Sequence, residues 1–301
     1  MQHASVSASS IGFVVKRAHP GAHRLALELA QFSHNEGKKV FFSDEAPKFK
    51  EELDFVRLVP KADLHLSCDL IVVLGGDGTF LSVARLMKQR TVPILGVNMG
   101  TLGFITETPA HEAKKMLKKI FAGESVQIRT RSMLEAQLCR GDVCLASTPV
   151  VNDVVVAKGA IARIFGMRIK LNGQLINHIR ADGLIIASPT GSTAYNLAAG
   201  GPILEPELGA MVLAPICPHS LTQRPLVISD QNVLTIEIQE NAGAVFLTLD
   251  GQEVHELQAL DRVIIKRFQS HPLTLITDPS RNYFQVLREK LNFGNSEVVP
   301  L

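Results

Sequence analysis

The sequence contains no tryptophan and two tyrosines, so its core must rest on aliphatic side chains and fourteen phenylalanines. Cysteine is scarce as well: four residues, at 68, 139, 144 and 217, with no CxxC pair. That pattern speaks against a disulfide framework or a thiolate metal site, and the expectation is reduced thiols in a cytoplasmic protein. Cys139 and Cys144 flank Arg140-Gly141-Asp142, which sets them to face each other near a hairpin turn. An excess of either charge is missing too. The net charge of +2 gives no reason to expect nucleic acid or a membrane surface as partner. No apolar run reaches the roughly 18 residues of a spanning helix. The opening MQHASVSASS lacks the basic start and apolar centre of a secretory signal and reads as a frayed N-terminus. Repeats, low-complexity tracts and long linkers are absent.

What is present falls into two textures. In the first, short apolar runs alternate with helical periodicity. Ile11 to Lys16 reads as a buried strand, and residues 22–39 carry Leu25, Leu27, Leu29 and Ala30 in a mainly helical pattern that closes near Gly37. Lys39 to Phe42 is a second strand. Leu70 to Leu74 is apolar on both faces, as in a parallel sheet covered by helices. Residues 79–90 place Phe80, Val83, Ala84 and Met87 on one helical face; Pro93 to Val97 is a strand, and residues 111–124 a helix. This order predicts a doubly wound α/β domain over residues 1–125. Beyond Val126 the periodicity shifts to two. Met167, Ile169 and Leu171 alternate with Arg168 and Lys170, Asn172-Gly173 and Asp250-Gly251 are hairpin turns, and Leu234, Ile236 and Ile238 alternate again. Residues 126–278 therefore read as an antiparallel β domain interrupted by one helix near Tyr195. Residues 279–301 form a helical tail, with Phe284, Leu287 and Leu291 on one face, that returns to the first domain.

The chemistry starts at Gly75-Gly76-Asp77-Gly78-Thr79, between a buried strand and a helix N-terminus, where open α/β sheets bind ligands. Glycines permit positive φ and uncover backbone amides; the helix beginning near Thr79 adds partial positive charge. These features suit phosphate. No Walker lysine follows, and the spacing is not GxGxxG. A carboxylate beside phosphates must hold a metal, hydrogen-bond a hydroxyl or take its proton; the bland alternative is a turn with an Asp helix cap. Asn152 and Asp153 interrupt an apolar run, which marks either a strand end facing a site or a bulge. Ser192 and Thr193 are set to cap the following helix. His219 reads first as structural. No His/Cys cluster has metal-ligand spacing.

Taken together, GGDGT, GVNMGTLGFITE, VNDVVV and RADGLIIASPTGSTAYNLAAGGPI closely resemble the NAD kinase family, from about Ile11 onward. GGDGT alone is shared with lipid and sugar kinases; the later motifs are narrower. Ser188 stands where Thr is common. The resemblance implies phosphoryl transfer from ATP, or another phosphate donor, to the adenosine 2′-hydroxyl of NAD, with a divalent metal, Mg²⁺, held largely by the phosphates. It makes Asp77 the base, Gly75, Gly76, Gly78 and Thr79 the phosphate cradle, and Phe104 an adenine platform rather than a core residue. It adds Gly78, Asn152, Asp153, Arg180, Asp182, Thr193, Ala194 and Tyr195 to the NAD site. Asn152 would read the adenine edge, Asp153 accept from ribose hydroxyls, and Asp182 bond the nicotinamide carboxamide from a neighbouring subunit. The family also implies a homodimer or homotetramer. Two other readings are a related lipid or sugar kinase and a non-catalytic NAD(P)-binding regulator.

Overall fold

The computed structural model describes residues 2–87, 90–100, 103–160, 163–239, 243–277 and 282–292. The chain divides into two compact units, one from Met1–Thr130 with Leu273–Leu301, the other Arg131–Pro272.

In the first unit the elements run β1 Gln2–Ser5, β2 Ser10–Val15, α1 Pro20–Asn35, β3 Lys39–Ser43, α2 Lys48–Glu52, β4 Arg57–Val59, α3 Leu64–Ser67, β5 Leu70–Gly75, α4 Asp77–Ala84, β6 Ile94–Asn98, β7 Thr108–Pro109, α5 Ala113–Phe121 and β8 Ser125–Arg131. The second unit holds β9 Leu134–Arg140, β10 Val143–Val150, β11 Asp153–Lys158, β12 Phe165–Leu171, β13 Gln174–Ala181, β14 Gly183–Ala187, α6 Tyr195–Ala198, β15 Ala210–Ile216, β16 Leu226–Ser229, β17 Leu234–Ile238, β18 Val245–Leu249, β19 Glu253–Leu257 and β20 Arg262–Arg267. The chain then returns to the first unit with β21 Leu273–Thr277 and α7 Tyr283–Leu291.

The first unit is an α/β sheet of order β1-β8-β21-β6-β5-β2-β3-β4, with β7 beside β6. Its centre is parallel, β2 lying between β3 and β5 and β5 against β6. Every residue of β5 is buried, as its two-faced apolar sequence requires. α5 buries Ala113, Met116, Leu117 and Ile120 and leaves its lysines outward. α1 buries Ala22, Ala26, Leu29, Ala30 and Ser33. Its stripe is thus made largely of small residues, which a search for large apolar ones misses, and Leu25 and Leu27 are only partly buried.

Several sequence expectations are corrected here. The N-terminus is not frayed: β1 pairs antiparallel with β8. The helix expected over residues 79–90 ends at Ala84, and Met87 closes a further turn on the Ala84 carbonyl; Lys88 and Gln89 lie outside the described residues. The boundary expected at 278/279 falls on residues likewise outside the description, but Leu273–Thr277 already belongs to the first sheet, beside β6. A five-residue alternating strand gives no sign of which sheet it will join. The tail helix ends at Leu291, where Asn292 takes a left-handed conformation.

The second unit is a sandwich of two six-stranded antiparallel sheets among the described residues, β10-β9-β20-β17-β12-β13 and β16-β15-β14-β11-β18-β19. One apolar core joins their inner faces, with Met167, Ile236 and Val263 from the first sheet against Val154, Ile186 and Leu247 from the second. A smaller cluster of Val155, Ile185, Val212, Ala214 and Leu204 covers the outer face of the second sheet. β11 and β14 are therefore apolar on both faces. Cys139 and Cys144 are cross-strand partners on β9 and β10, and all four thiols are free. No helix of the described residues is long and apolar enough to cross a membrane.

Candidate active site

In the first unit, β5 ends at Gly75 and α4 begins at Asp77, with Gly76 as N-cap. None of the loop glycines uses positive φ, so the expectation of left-handed backbone is not met. A Cβ on Gly76 or Gly78 would meet no protein atom, so these glycines leave open space in front of the loop. Gly75 is different: the Thr79 side chain folds back over it, and a Cβ there would lie 2.5 Å from Thr79 Oγ1.

Asp77 is no cap of its own helix. Its carboxylate reaches across to the second glycine-rich loop. Oδ2 accepts from Phe104 N at 2.8 Å; Oδ1 accepts from Ile105 N at 3.2 Å, Thr106 N at 3.0 Å and Thr106 Oγ1 at 2.9 Å. Gly103 is required by this closeness, since a Cβ would stand 2.1 Å from Asp77 Oδ1. The buried Asn98 steadies the same loop, its Oδ1 accepting from Gly100 N at 2.7 Å. Asn98 and Thr106 went unnoticed in the sequence, although a polar residue ending an apolar strand beside a glycine is a usable sign. Phe104 is half-buried, and the Lys290 ammonium of α7 lies 4.7 Å from its ring centroid.

In the second unit, Asn152 and Asp153 stand where β11 begins, beside the end of β14. Asp250, at the β18–β19 turn, fixes them. It accepts from Val151 N at 2.9 Å through Oδ2, and from Asn152 N at 2.7 Å and Asp153 N at 3.1 Å through Oδ1. The sequence read Asp250-Gly251 as a turn only; a turn signal does not say what its side chain will reach. Burial, then the Asp250 charge, push Asp153 up to about 7, partly offset by a hydrogen bond from the Tyr195 backbone. The Asn152 Oδ1 and Thr190 Oγ1 are buried with no hydrogen-bond partner among the described residues. Such atoms are costly unless a ligand completes them.

The turn after β14 locks against this corner. Ser188 N and Oγ donate to the carbonyls of Asn152 and Val151, and a Cβ on Gly191 would lie 2.0 Å from Asn152 O. Ser192 and Thr193 do not cap α6 as expected. Their hydroxyls bond back to Pro189 O at 2.6 Å and Thr190 O at 3.3 Å, because the chain enters α6 through a 3₁₀ turn. Asn196 is wholly buried and holds Ser192 O and Pro202 O. Ala194 and Tyr195 follow on the same turn, with Tyr195 exposed.

Arg180 and Asp182 are not part of this corner. Asp182 pairs with Lys158 at 2.9 Å, and Lys158 N bonds Asp182 O, at the far end of β11 from Asp153. Five residues of strand put them about 17 Å apart. Arg180 is exposed beside them, and its carbonyl accepts from His219 N at 2.9 Å.

A carboxylate set between a loop open to phosphate and a second glycine loop is the equipment of a kinase that phosphorylates a hydroxyl. Residues 11–125 match the ATP-NAD kinase N-terminal domain and residues 151–276 the ATP-NAD kinase C-terminal domain. The NAD kinase of Syntrophotalea carbinolica is 43% identical over 94% of this chain and 98% of its own. That of Geotalea daltonii is 46% identical over 77% and 81%. Among solved structures, yeast NADH kinase in complex with NADH superposes with a TM-score of 0.90 at 24% identity, over 99% of this chain and 97% of its own. The NAD kinase of Archaeoglobus fulgidus in complex with ATP gives 0.68 at 24% identity, over 94% and 98%; at that identity the likeness concerns the fold. The chain belongs to the NAD kinase family, phosphotransferases whose substrates are ATP and NAD.

Proposed function

We propose that this chain transfers the terminal phosphoryl group of ATP to the adenosine 2′-hydroxyl of NAD, with Asp77 as the base. The observation that carries the reading is the way the Asp77 carboxylate is held. A carboxylate offers about four lone-pair positions. Oδ1 accepts three hydrogen bonds and Oδ2 one, so Oδ2 keeps the capacity to receive a hydroxyl proton. The 2′-oxygen then attacks the phosphorus, the bond to the bridging oxygen breaks, and ADP leaves. Gly75, Gly76, Gly78 and Thr79 form the phosphate side, and the open space before Gly76 and Gly78 supports it.

On the acceptor side, Phe104 stacks on adenine. Asn152 receives the exocyclic amine at its partnerless Oδ1. Asp153 bonds ribose hydroxyls, Thr193, Ala194 and Tyr195 line the dinucleotide, and Gly78 borders the reacting hydroxyl. Arg180 and Asp182 serve the nicotinamide end from a neighbouring subunit, which their distance from Asp153 along β11 supports. The protein is accordingly a homodimer or homotetramer joined through its β unit. The apolar run over residues 208–221 is used up largely inside β15, where Met211 to Ala214 are buried; the exposed apolar surface follows, at Leu221, Leu226 and Val227. No group of three or more His, Cys, Asp or Glu stands together among the described residues. In this reading Mg²⁺ arrives with the donor's phosphates as part of the substrate.

The test is purified protein with ATP, Mg²⁺ and NAD, coupled to an NADP-specific dehydrogenase. NADP should form with ATP consumed in equal amount. NAD binding without NADP formation, with every donor tried, would leave a non-catalytic binder in its place.

A further inference from the structure

The glycine loop carries no lysine of its own, yet a phosphate donor brings several negative charges. The neighbouring strands supply the missing cations. β2 pairs with β5 so that Val15 lies opposite Leu74. Lys16, the next residue, bonds its amide to Leu74 O at 2.8 Å, which sets it beside the first glycine of the loop. Lys61 stands two residues beyond the end of β4, and Arg17 follows Lys16. With Gly78, Thr79 and Ser82 these three side chains line one cavity of about 350 Å³ at the carboxyl ends of the parallel strands. A second cavity of about 450 Å³, reaching along residues 43–49, also has Val15, Lys16, Arg17 and Glu45 in its wall. Both fall within the usual size of ligand pockets.

One carboxylate sits in this basic trough. Glu45 Oε2 lies 3.4 Å from Arg17 Nη2 and 3.4 Å from Lys61 Nζ. Two cations from separate strands converge on one anionic oxygen, beside a loop that leaves open space in front of Gly78. Phosphate oxygens offer the same charge with more acceptors.

We propose that Lys16, Arg17 and Lys61 bind the triphosphate arm of the donor, replacing the lysine that the glycine loop lacks, and that Glu45 holds Arg17 and Lys61 in place until the donor takes over. This deepens the kinase reading and rests on it for the identity of the donor. The nucleoside end of the donor extends into the second cavity.

The test uses the full-length protein. Lys16→Ala and Lys61→Ala should each raise KM for ATP roughly tenfold to a hundredfold, the cost of losing a charged hydrogen bond. KM for NAD should stay within about twofold and the melting temperature should hold, because both side chains stand at a cavity wall. Lys16→Arg should recover much of the loss, and Glu45→Gln should lower KM for ATP. Inorganic tripolyphosphate, titrated calorimetrically, should bind the wild type and bind both Ala variants more weakly. Unchanged KM for ATP in both variants would overturn the proposal, as would an equal rise in both substrates' KM. If the wild type makes no NADP, the kinase reading fails, and the tripolyphosphate titration still decides the trough by itself. A variant that unfolds is replaced by Lys16→Gln or Lys61→Gln, which keep the stem.

Discussion

Asp77 clamps residues 104–106 and is the proposed base, and both bear on what its replacement does. Asp77→Asn turns one acceptor oxygen into an N–H₂ donor. That donor must face either Phe104 N–H or the Ile105 and Thr106 amides, all of which are donors themselves. The variant should therefore lose turnover by a factor of about 10²–10⁴, the range for a positioned base. It should also bind NAD more weakly, since the Phe104 loop loosens. Single-turnover NADP formation beside calorimetric NAD binding separates the two effects. A loss of turnover below about tenfold would reduce Asp77 to a loop clamp. Asp153 makes a second prediction at this scale. Its folded pKa of about 7 lies above the ordinary carboxylate value near 3.9. The folded state binds its proton more tightly, so the stability this group contributes is complete below about pH 4 and is lost as pH rises through about 7. Thermal unfolding of the second unit should shift downward between pH 5 and pH 8, and Asp153→Asn should flatten that slope.

Two short turns, 103–106 and 188–193, do most of the positioning, and both depend on backbone passing very close to a partner. At Gly191 that partner is the Asn152 backbone itself, 2.0 Å from where a Cβ would lie, and backbone cannot swing aside. Gly191→Ala should cost about 1–3 kcal/mol of stability by overpacking. It should also weaken NAD binding by moving Asn152 off the adenine contact proposed for it. Calorimetric melting and NAD titration check both. Gly76→Ala, facing open space, should leave the melting temperature unchanged and raise KM for ATP. These elements also mark how far the sequence could be read. β5, the Asp77 loop, β11 with Asn152-Asp153 and the strand after Asp182 were legible, because long apolar runs interrupted by glycine or a carboxylate are local signals. Asp250's grip on residues 151–153, the back-bonding of Ser192 and Thr193, and Thr106's bond to Asp77 were not. Each is a long-range or sideways contact, and spacing along the chain carries no trace of it. β21 was misjudged for a related reason, since alternation names a strand but not its sheet.

For the whole molecule, proton linkage should run in opposite directions in the two units. Burial holds His65 of α3 below the ordinary histidine range. Its folded form binds fewer protons than the unfolded chain, so the stability it contributes is complete above about pH 6.5 and falls as pH drops below it. Acid thus weakens the first unit where it relieves Asp153 in the second. Scanning calorimetry from pH 8 to pH 5 should show the two transitions approach or separate rather than shift together, and His65→Leu should remove the change in the first. Assembly is tested by light scattering at micromolar concentration. A mass of two or four times 32.8 kDa is expected, and a single-chain mass would remove the neighbouring-subunit role proposed for Arg180 and Asp182.

The position of β21 carries a consequence for how the chain is made. This strand lies in the middle of the first sheet, between β8 and β6, yet it is synthesised after the whole of Arg131–Pro272. Every residue of the β sandwich is made while the first sheet still has a gap between two of its strands. The later-starting unit is therefore the first whose residues are all made, and the loop around Asp77 gains its full support only after β21 follows it. Nascent chains ending near residue 272 and carried clear of the ribosomal exit tunnel by an added linker should resist protease over 131–272 and yield at residues 2–130, and the same chains extended through β21 and α7 should protect both.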